Sequence, residues 1–180
     1  MRESNTEVGA RGMRAGLRWR GVQLALAAVL FAASASAEPV TGVVVRVIDG
    51  DSLVMRPPGG GRPIEVRLQD IDAPEICQQG GAQAKQALEE QALAQTAVLL
   101  SSARDSYGRT VGRVMVGDID IGKRQVEAGQ AWSAQSRNGH GPLMKQERMA
   151  KALSRGLWAG GGAVNPKDFR RVHGPCSTHR

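Results

Sequence analysis

Asp51 follows an Asp-Gly turn, and Asp70, Asp72 and Glu75 crowd the short segment Gln69-Asp70-Ile71-Asp72-Ala73-Pro74-Glu75. Hard divalent cations are bound by oxygen, from carboxylates and backbone carbonyls, with water completing the coordination. Asp51 and Asp72 would reach one such ion if the strands that bear them are neighbours. Arg67 stands just before the acidic segment, and Arg109 ends the turn Asp105-Ser106-Tyr107-Gly108-Arg109. Two guanidinium groups beside a carboxylate-bound cation would grip a phosphate and stabilise charge developing at phosphorus. Taken singly, each has a plainer reading: Asp51 as a turn residue, Asp72 as a loop residue, and the arginines as solvated strand residues. Their company is what points to chemistry.

The elements that must position these groups are legible from periodicity and turn residues. Val40–Ile48 reads as a strand with Val43, Val45 and Val47 on one face, and Asp49-Gly50 is a hairpin signal returning the chain into Ser52–Arg56. Pro57-Pro58-Gly59-Gly60-Gly61 is a loop. Arg62–Gln69 then alternates, with Ile64, Val66 and Leu68 facing the core and Arg67 the other side. Three antiparallel strands in a meander bring Asp51 and Asp72 to the ends of neighbouring strands. Ala82–Gln95 has helical composition, and Thr96–Ser102 and Gly112–Val116 supply two more strands. Ile121–Ala128 reads as a short helix, and a last one opens at Pro142 and closes at Gly156. Gly160-Gly161-Gly162 begins an irregular tail. The expected fold is α+β: a five-stranded OB-fold-like β-barrel with about three packed helices.

Composition bounds the setting. The chain carries 24 Lys and Arg against 17 Asp and Glu, a net charge of +7, but five arginines lie in residues 1–21. Val22–Ala33 is nearly all apolar, and Ala35-Ser36-Ala37 follows before Glu38. This is the pattern of a secretory signal peptide cleaved after Ala37, and the apolar run is short of the roughly 20 residues that span a bilayer. Met13 is an alternative start. The reading divides the chain into a signal at 1–37, a folded domain at 38–160 and a basic C-terminal tail at 161–180. Losing five arginines and two glutamates with the signal leaves 19 basic against 15 acidic residues, a net +4 that suits a polyanionic partner. Export to the periplasm or the medium is expected, with no stable membrane insertion afterwards. In such a compartment Cys77 and Cys176, the two cysteines of the chain, are expected to pair; two free thiols are the alternative. Their separation excludes a zinc knuckle.

Val47-Ile48-Asp49-Gly50-Asp51-Ser52, then Arg67 through Glu75, then Tyr107-Gly108-Arg109 resembles, in order and separation, the staphylococcal nuclease (thermonuclease) family. The resemblance covers about Val40 to Trp158. It implies that Asp51 and Asp72 are calcium-binding carboxylates and that Ala73, where the family usually has Thr, lends a backbone carbonyl to the ion. By the same resemblance Glu75 is the general base, Arg67 and Arg109 bind the phosphate and stabilise the pentacoordinate transition state, and Tyr107 bonds a terminal phosphate. The implied reaction cleaves the P–O5′ bond of DNA or RNA with low sequence specificity and leaves 3′-phosphates, with Ca²⁺ as cofactor. The sequence departs from the family at its base-pocket aromatics, where Gln135 and Arg137 stand, and at a basic position occupied by Ser106. Trp132 nearby reads as a core residue.

The expected protein is therefore a monomeric exported endonuclease acting on DNA, RNA or both. The alternative is a barrel that holds nucleic acid or protein without cutting it. A phosphodiesterase acting on small nucleotides ranks third. Lys167, Arg170 and Arg171 in the tail read either as further phosphate contacts or as a solvated basic face.

Overall fold

The computed structural model describes residues 38–134, 139 and 141–176. The expected signal peptide at 1–37, and Gln135 and Arg137, lie outside the described residues. Strands β1 (Val40–Val47), β2 (Ser52–Arg56) and β3 (Ile64–Leu68) form the expected antiparallel meander. The chain then makes a two-residue strand β4 (Ile71–Asp72), helix α1 (Gly81–Ala92), and strands β5 (Thr96–Arg104), β6 (Thr110–Val116) and β7 (Ile119–Asp120). Helix α2 (Ile121–Glu127), strand β8 (Trp132–Ser133) and helices α3 (Met144–Ala152) and α4 (Pro166–His173) complete it.

Sheet order is β3-β2-β1-β5-β6-β7, and parallel pairing of β3 with β6 closes the first five strands into a barrel. Closure removes the free edges of an open sheet. The barrel interior holds Val44, Leu53, Met55, Val66, Leu68, Leu99 and Val114, and α1 packs on it through Ala84, Leu88 and Ala92, one residue per turn along a single stripe. Among the described residues no helix is long and apolar enough to cross a membrane.

Three expectations about elements are corrected. Val43, Val45 and Val47 do not share a buried face. Val44 and Val47 are buried, while Val43 and Val45 are exposed, because a bulge between Val44 and Arg46 shifts the register against β2 and reverses the alternation. The C-terminal tail is also not irregular throughout, since Pro166–His173 form α4. Asn165 caps α4 by accepting from Lys167 N–H at 3.0 Å, and Pro166 starts it. Helix α1 ends earlier than its composition suggests. Ala94 adopts φ 61° and donates to Val44 O at 2.8 Å, while Val44 N–H donates to Gln95 O at 3.0 Å, so β1 takes the backbone that would have continued the helix. Trp132 is buried, as expected, with its ring edge-on to Trp158 at 4.9 Å.

Candidate active site

Barrel closure assembles the site. Pairing of β2 with β3 sets Ser52 opposite Arg67, and pairing of β3 with β6 sets Val66 opposite Thr110. Arg67 and Arg109 thereby line one cleft of about 450 Å³ together with Asp51, Ala73, Glu75 and Tyr107. A larger hollow of about 590 Å³ lies beside Phe169 and Val172 of α4, but its carboxylate–arginine pair is the exposed Asp168–Arg171 contact at 3.4 Å. The candidate carboxylates and arginines gather in the smaller cleft.

Asp51 is almost wholly buried, at 3% exposure, and every bond that makes this tolerable is present. Its Oδ1 accepts from Arg67 Nη1 at 2.8 Å and from Ser52 Oγ at 2.9 Å, and its Oδ2 accepts from Ala73 N–H at 3.0 Å. The other terminal nitrogen of Arg67 donates to Asp72 Oδ1 at 3.0 Å, so one guanidinium joins the two carboxylates. Burial works against the charge of Arg67, but Asp51 and Asp72 outweigh it and raise its pKa above the ordinary value. Asp72 reaches this position because β4 pairs antiparallel with β8, placing it opposite Trp132.

Glu75 sits on the loop between β4 and α1. Its N–H donates to Gln78 Oε1 at 3.2 Å, and α1 begins so close behind it that a Cβ at Gly81 would collide with the Glu75 carbonyl. The carboxylate accepts from Arg170 Nη1 at 2.7 Å. Arg109 stands on the wall formed by the β5–β6 turn. Its Nε donates to Asp105 Oδ2 at 2.7 Å, and Asp105 Oδ1 accepts from the N–H groups of Tyr107 and Arg109 at 3.0 and 2.9 Å. Burial alone would raise the Asp105 pKa, but these bonds, with Arg109 foremost, hold it below the ordinary carboxylate value. Tyr107 is 82% exposed, with the Arg109 guanidinium 5.5 Å from its ring centre. Asp70 forms the left-handed corner of the β3–β4 turn (φ 67°), receives a side-chain bond from Gln69 at 3.3 Å, and takes no part in the cluster.

Gln125 and Asp49 were not legible as site residues, and Arg170, read as a phosphate contact or part of a solvated basic face, instead holds carboxylates. Arg170 of α4 donates to both oxygens of Asp72, at 3.1 and 2.9 Å, as well as to Glu75. Its hydrogen bonds to Asp72, with Glu75 adding to them, raise its pKa despite partial burial. Gln125 of α2 is fully buried and donates to Gly50 O and Ala84 O, both at 2.9 Å, fastening the Asp51 turn to α1. A lone amide on the helical stripe Ile121-Gly122-Gln125-Val126 was the available signal. Asp49 has its pKa raised to about 7, first by burial and then by the charge of Asp51. Cys77 and Cys176 are joined by a disulfide, as expected, with Cα atoms 5.8 Å apart.

The donor chemistry fits a hard cation. Asp51 and Asp72 already share one cationic group, all donors are oxygen, and the Ala73 backbone lies against Asp51. Among the described residues no group of three or more His, Cys, Asp or Glu is gathered to hold an ion alone, so a carbonyl and water would have to complete the set.

A closed five-stranded barrel with packed helices, and a cleft lined by both carboxylates and arginines, belongs to the OB-fold class of small barrels. The sequence profile described as "Staphylococcal nuclease homologue" matches residues 65–160, and the chain belongs to that family. Relatives include Protein ParB of Escherichia coli, 34% identical over 156 residues that cover 80% of this chain and 86% of the relative. An uncharacterized endonuclease of Haemophilus influenzae is 34% identical over 137 residues, covering 76% of each chain. A micrococcal nuclease of Shigella flexneri is 32% identical over 163 residues, covering 83% of this chain and 91% of its own.

Proposed function

We propose that this chain is an exported endonuclease that uses a divalent cation, with Ca²⁺ the first candidate, to hydrolyse phosphodiester bonds of DNA, RNA or both. Membership of the staphylococcal nuclease family and the endonuclease and micrococcal nuclease relatives support the activity. The observation that carries the site is the Arg67 bridge between Asp51 and Asp72, made in the cleft that also receives Glu75 and Arg109.

In this reading Asp51, Asp72 and the carbonyl of Ala73 hold the cation, which when bound polarises a phosphoryl oxygen and lowers the pKa of nearby water. Glu75 takes the proton of the attacking water. Arg67 and Arg109 donate to the phosphate oxygens as charge develops on them. Arg67 has three N–H donors beyond the two given to Asp51 and Asp72, and Arg109 has four beyond the one given to Asp105, so both can grip phosphate while keeping these carboxylates. Tyr107, exposed at the rim, donates to a terminal phosphate. The contacts are to backbone, so cleavage of low sequence specificity leaving 3′-phosphates is the reading. The protein acts as a monomer in the periplasm or medium after cleavage following Ala37.

A barrel that binds without cutting would have no use for this full set. The test is the purified protein with plasmid DNA and with a long RNA, in Ca²⁺, in Mg²⁺ and in excess chelator. Cation-dependent nicking with 3′-phosphate ends is expected. Binding without cleavage in every cation, or undiminished cleavage in chelator, would overturn the proposal.

A further inference from the structure

Helix α4 is fastened at both ends to the loop that carries Glu75. Before the helix, Val164 O accepts from Gln78 Nε2 at 2.6 Å, and Gln78 Oε1 accepts from Glu75 N–H. After it, Cys176 is bonded to Cys77 and its sulfur receives the Cys77 N–H at 3.0 Å. The helix lies outside the matched family region of 65–160. Between these two anchors Arg170 turns inward. Its guanidinium takes Asp72 through both terminal nitrogens and Glu75 through one of them.

The lone pairs can be counted. A carboxylate offers about four acceptor sites. Asp72 Oδ1 receives Arg67 Nη2 and Arg170 Nη1, and Oδ2 receives Arg170 Nη2, so Oδ1 is fully committed and Oδ2 half so. A cation at Asp72 needs one of these sites and brings a second positive centre against the guanidinium. Asp51 accepts as many bonds, two on Oδ1 and one on Oδ2, but only Arg67 among its three donors is a cation, whereas Asp72 holds two guanidinium groups.

We propose that Arg170 is an internal competitor for the divalent cation: its guanidinium and the ion claim the same face of Asp72, and the anchored helix keeps the competitor in place. This rests on the cation reading above. The consequence is reciprocal, as linkage requires. The ion loosens the docking of α4, and anything that loosens α4 tightens the ion. Reduction of the Cys77–Cys176 bond is one such event, and it frees the helix at the end nearer Arg170.

The test is direct binding of Ca²⁺ by isothermal titration calorimetry, without nucleic acid, to the wild-type protein and to Arg170→Gln. The variant keeps the disulfide and most of the side-chain volume. The expected result is a Ca²⁺ Kd lower in the variant by about 5–150-fold, the usual range of such coupling. A Cys77→Ser/Cys176→Ser variant is expected to tighten Ca²⁺ in the same direction, and adding Arg170→Gln to it should give less than the full single effect. Equal or weaker Ca²⁺ binding by Arg170→Gln, with wild-type binding intact, overturns this inference and leaves the cation reading standing. Absence of Ca²⁺ binding to both proteins overturns the two together. Should Arg170→Gln fail to fold, hydrogen exchange of the wild type decides: Ca²⁺ is expected to speed exchange of the amides at 167–173, and unchanged protection there overturns the proposal.

Discussion

Arg67 donates to Asp51 Oδ1 at 2.8 Å although sixteen residues of chain separate them, because β2 and β3 pair with Ser52 directly opposite Arg67. The same guanidinium reaches Asp72, so its flat two-pronged geometry matters as well as its charge. Arg67→Ala is expected to lower turnover by about 10²–10³-fold, the usual cost of losing one donor to a developing oxyanion. Arg67→Lys should recover little of this, since one ammonium cannot make both contacts. Steady-state cleavage by variants shown to be folded by circular dichroism checks it, and near-normal turnover in either would contradict the assignment.

Gln125 is the buried fastener between the Asp51 turn and α1, and Gly50 permits the close approach. A Cβ at Gly50 would lie 2.6 Å from the Ala84 methyl and 2.7 Å from that of Ala73, neither of which can swing away. Gln125→Leu leaves the Gly50 carbonyl buried without its partner and is expected to cost about 1–3 kcal/mol. Denaturant unfolding measures the loss. The Ca²⁺ affinity should fall too, because the turn that aims Asp51 is no longer fixed.

Asp49 binds its proton more tightly in the folded protein, at about 7, than the ordinary carboxylate value of 3.8. A raised carboxylate pKa contributes stability that is fully present below the unfolded value and is lost as pH rises through the folded one. Asp49→Asn removes that loss while keeping an oxygen for the Asp51 N–H, which Asp49 Oδ1 now accepts at 3.0 Å. The Tm of the variant relative to wild type, in chelator, is therefore expected to climb between pH 4 and pH 8. A pH-independent difference would show that Asp49 is not the group titrating.

The Cys77–Cys176 bond spans a sequence separation of 99. Closing a loop of that size confines the unfolded chain by an amount worth at most ~4–5 kcal/mol. Reduction is expected to lower the Tm, with the first loss of structure in α4, of whose residues Pro166 alone is buried. Scanning calorimetry of the oxidised and reduced protein reads the shift, and equal Tm values would mean the bond leaves the unfolded chain unconstrained.

How legible the site was depended on how local each signal is. The alternation of Ile64, Val66 and Leu68 was enough to aim Arg67 away from the core, and the Asp49-Gly50 turn was enough to place Asp51 at the end of β2. The β1 stripe misled because a bulge is invisible to a period of two: one extra residue at Val45 moved Val44 inward and Val43 outward. Helix α4 was masked by its glycine-rich approach, although Asn165-Pro166 is a start signal and Phe169 and Arg170 mark an inner face. Nothing local could pair Arg170 with Asp72, because that contact joins residues 98 apart and depends on the disulfide and Gln78 to bring them together. Gln125 failed for a similar reason, its partners being two distant backbone carbonyls, one in the Asp51 turn and one in α1.

The most direct test of the proposed site is the turnover of Glu75→Gln at saturating cation, with Ca²⁺ binding measured on the same preparation. Gln keeps the shape and still accepts from Arg170, but it cannot take a proton from water. The expected result is unaltered folding, Ca²⁺ binding no weaker than wild type and kcat lower by about 10²–10⁴-fold, the usual contribution of a positioned general base. Wild-type kcat in the folded, cation-bound variant would contradict the account, since it would place the hydrolytic step somewhere other than the cleft that Asp51, Arg67, Asp72 and Glu75 define.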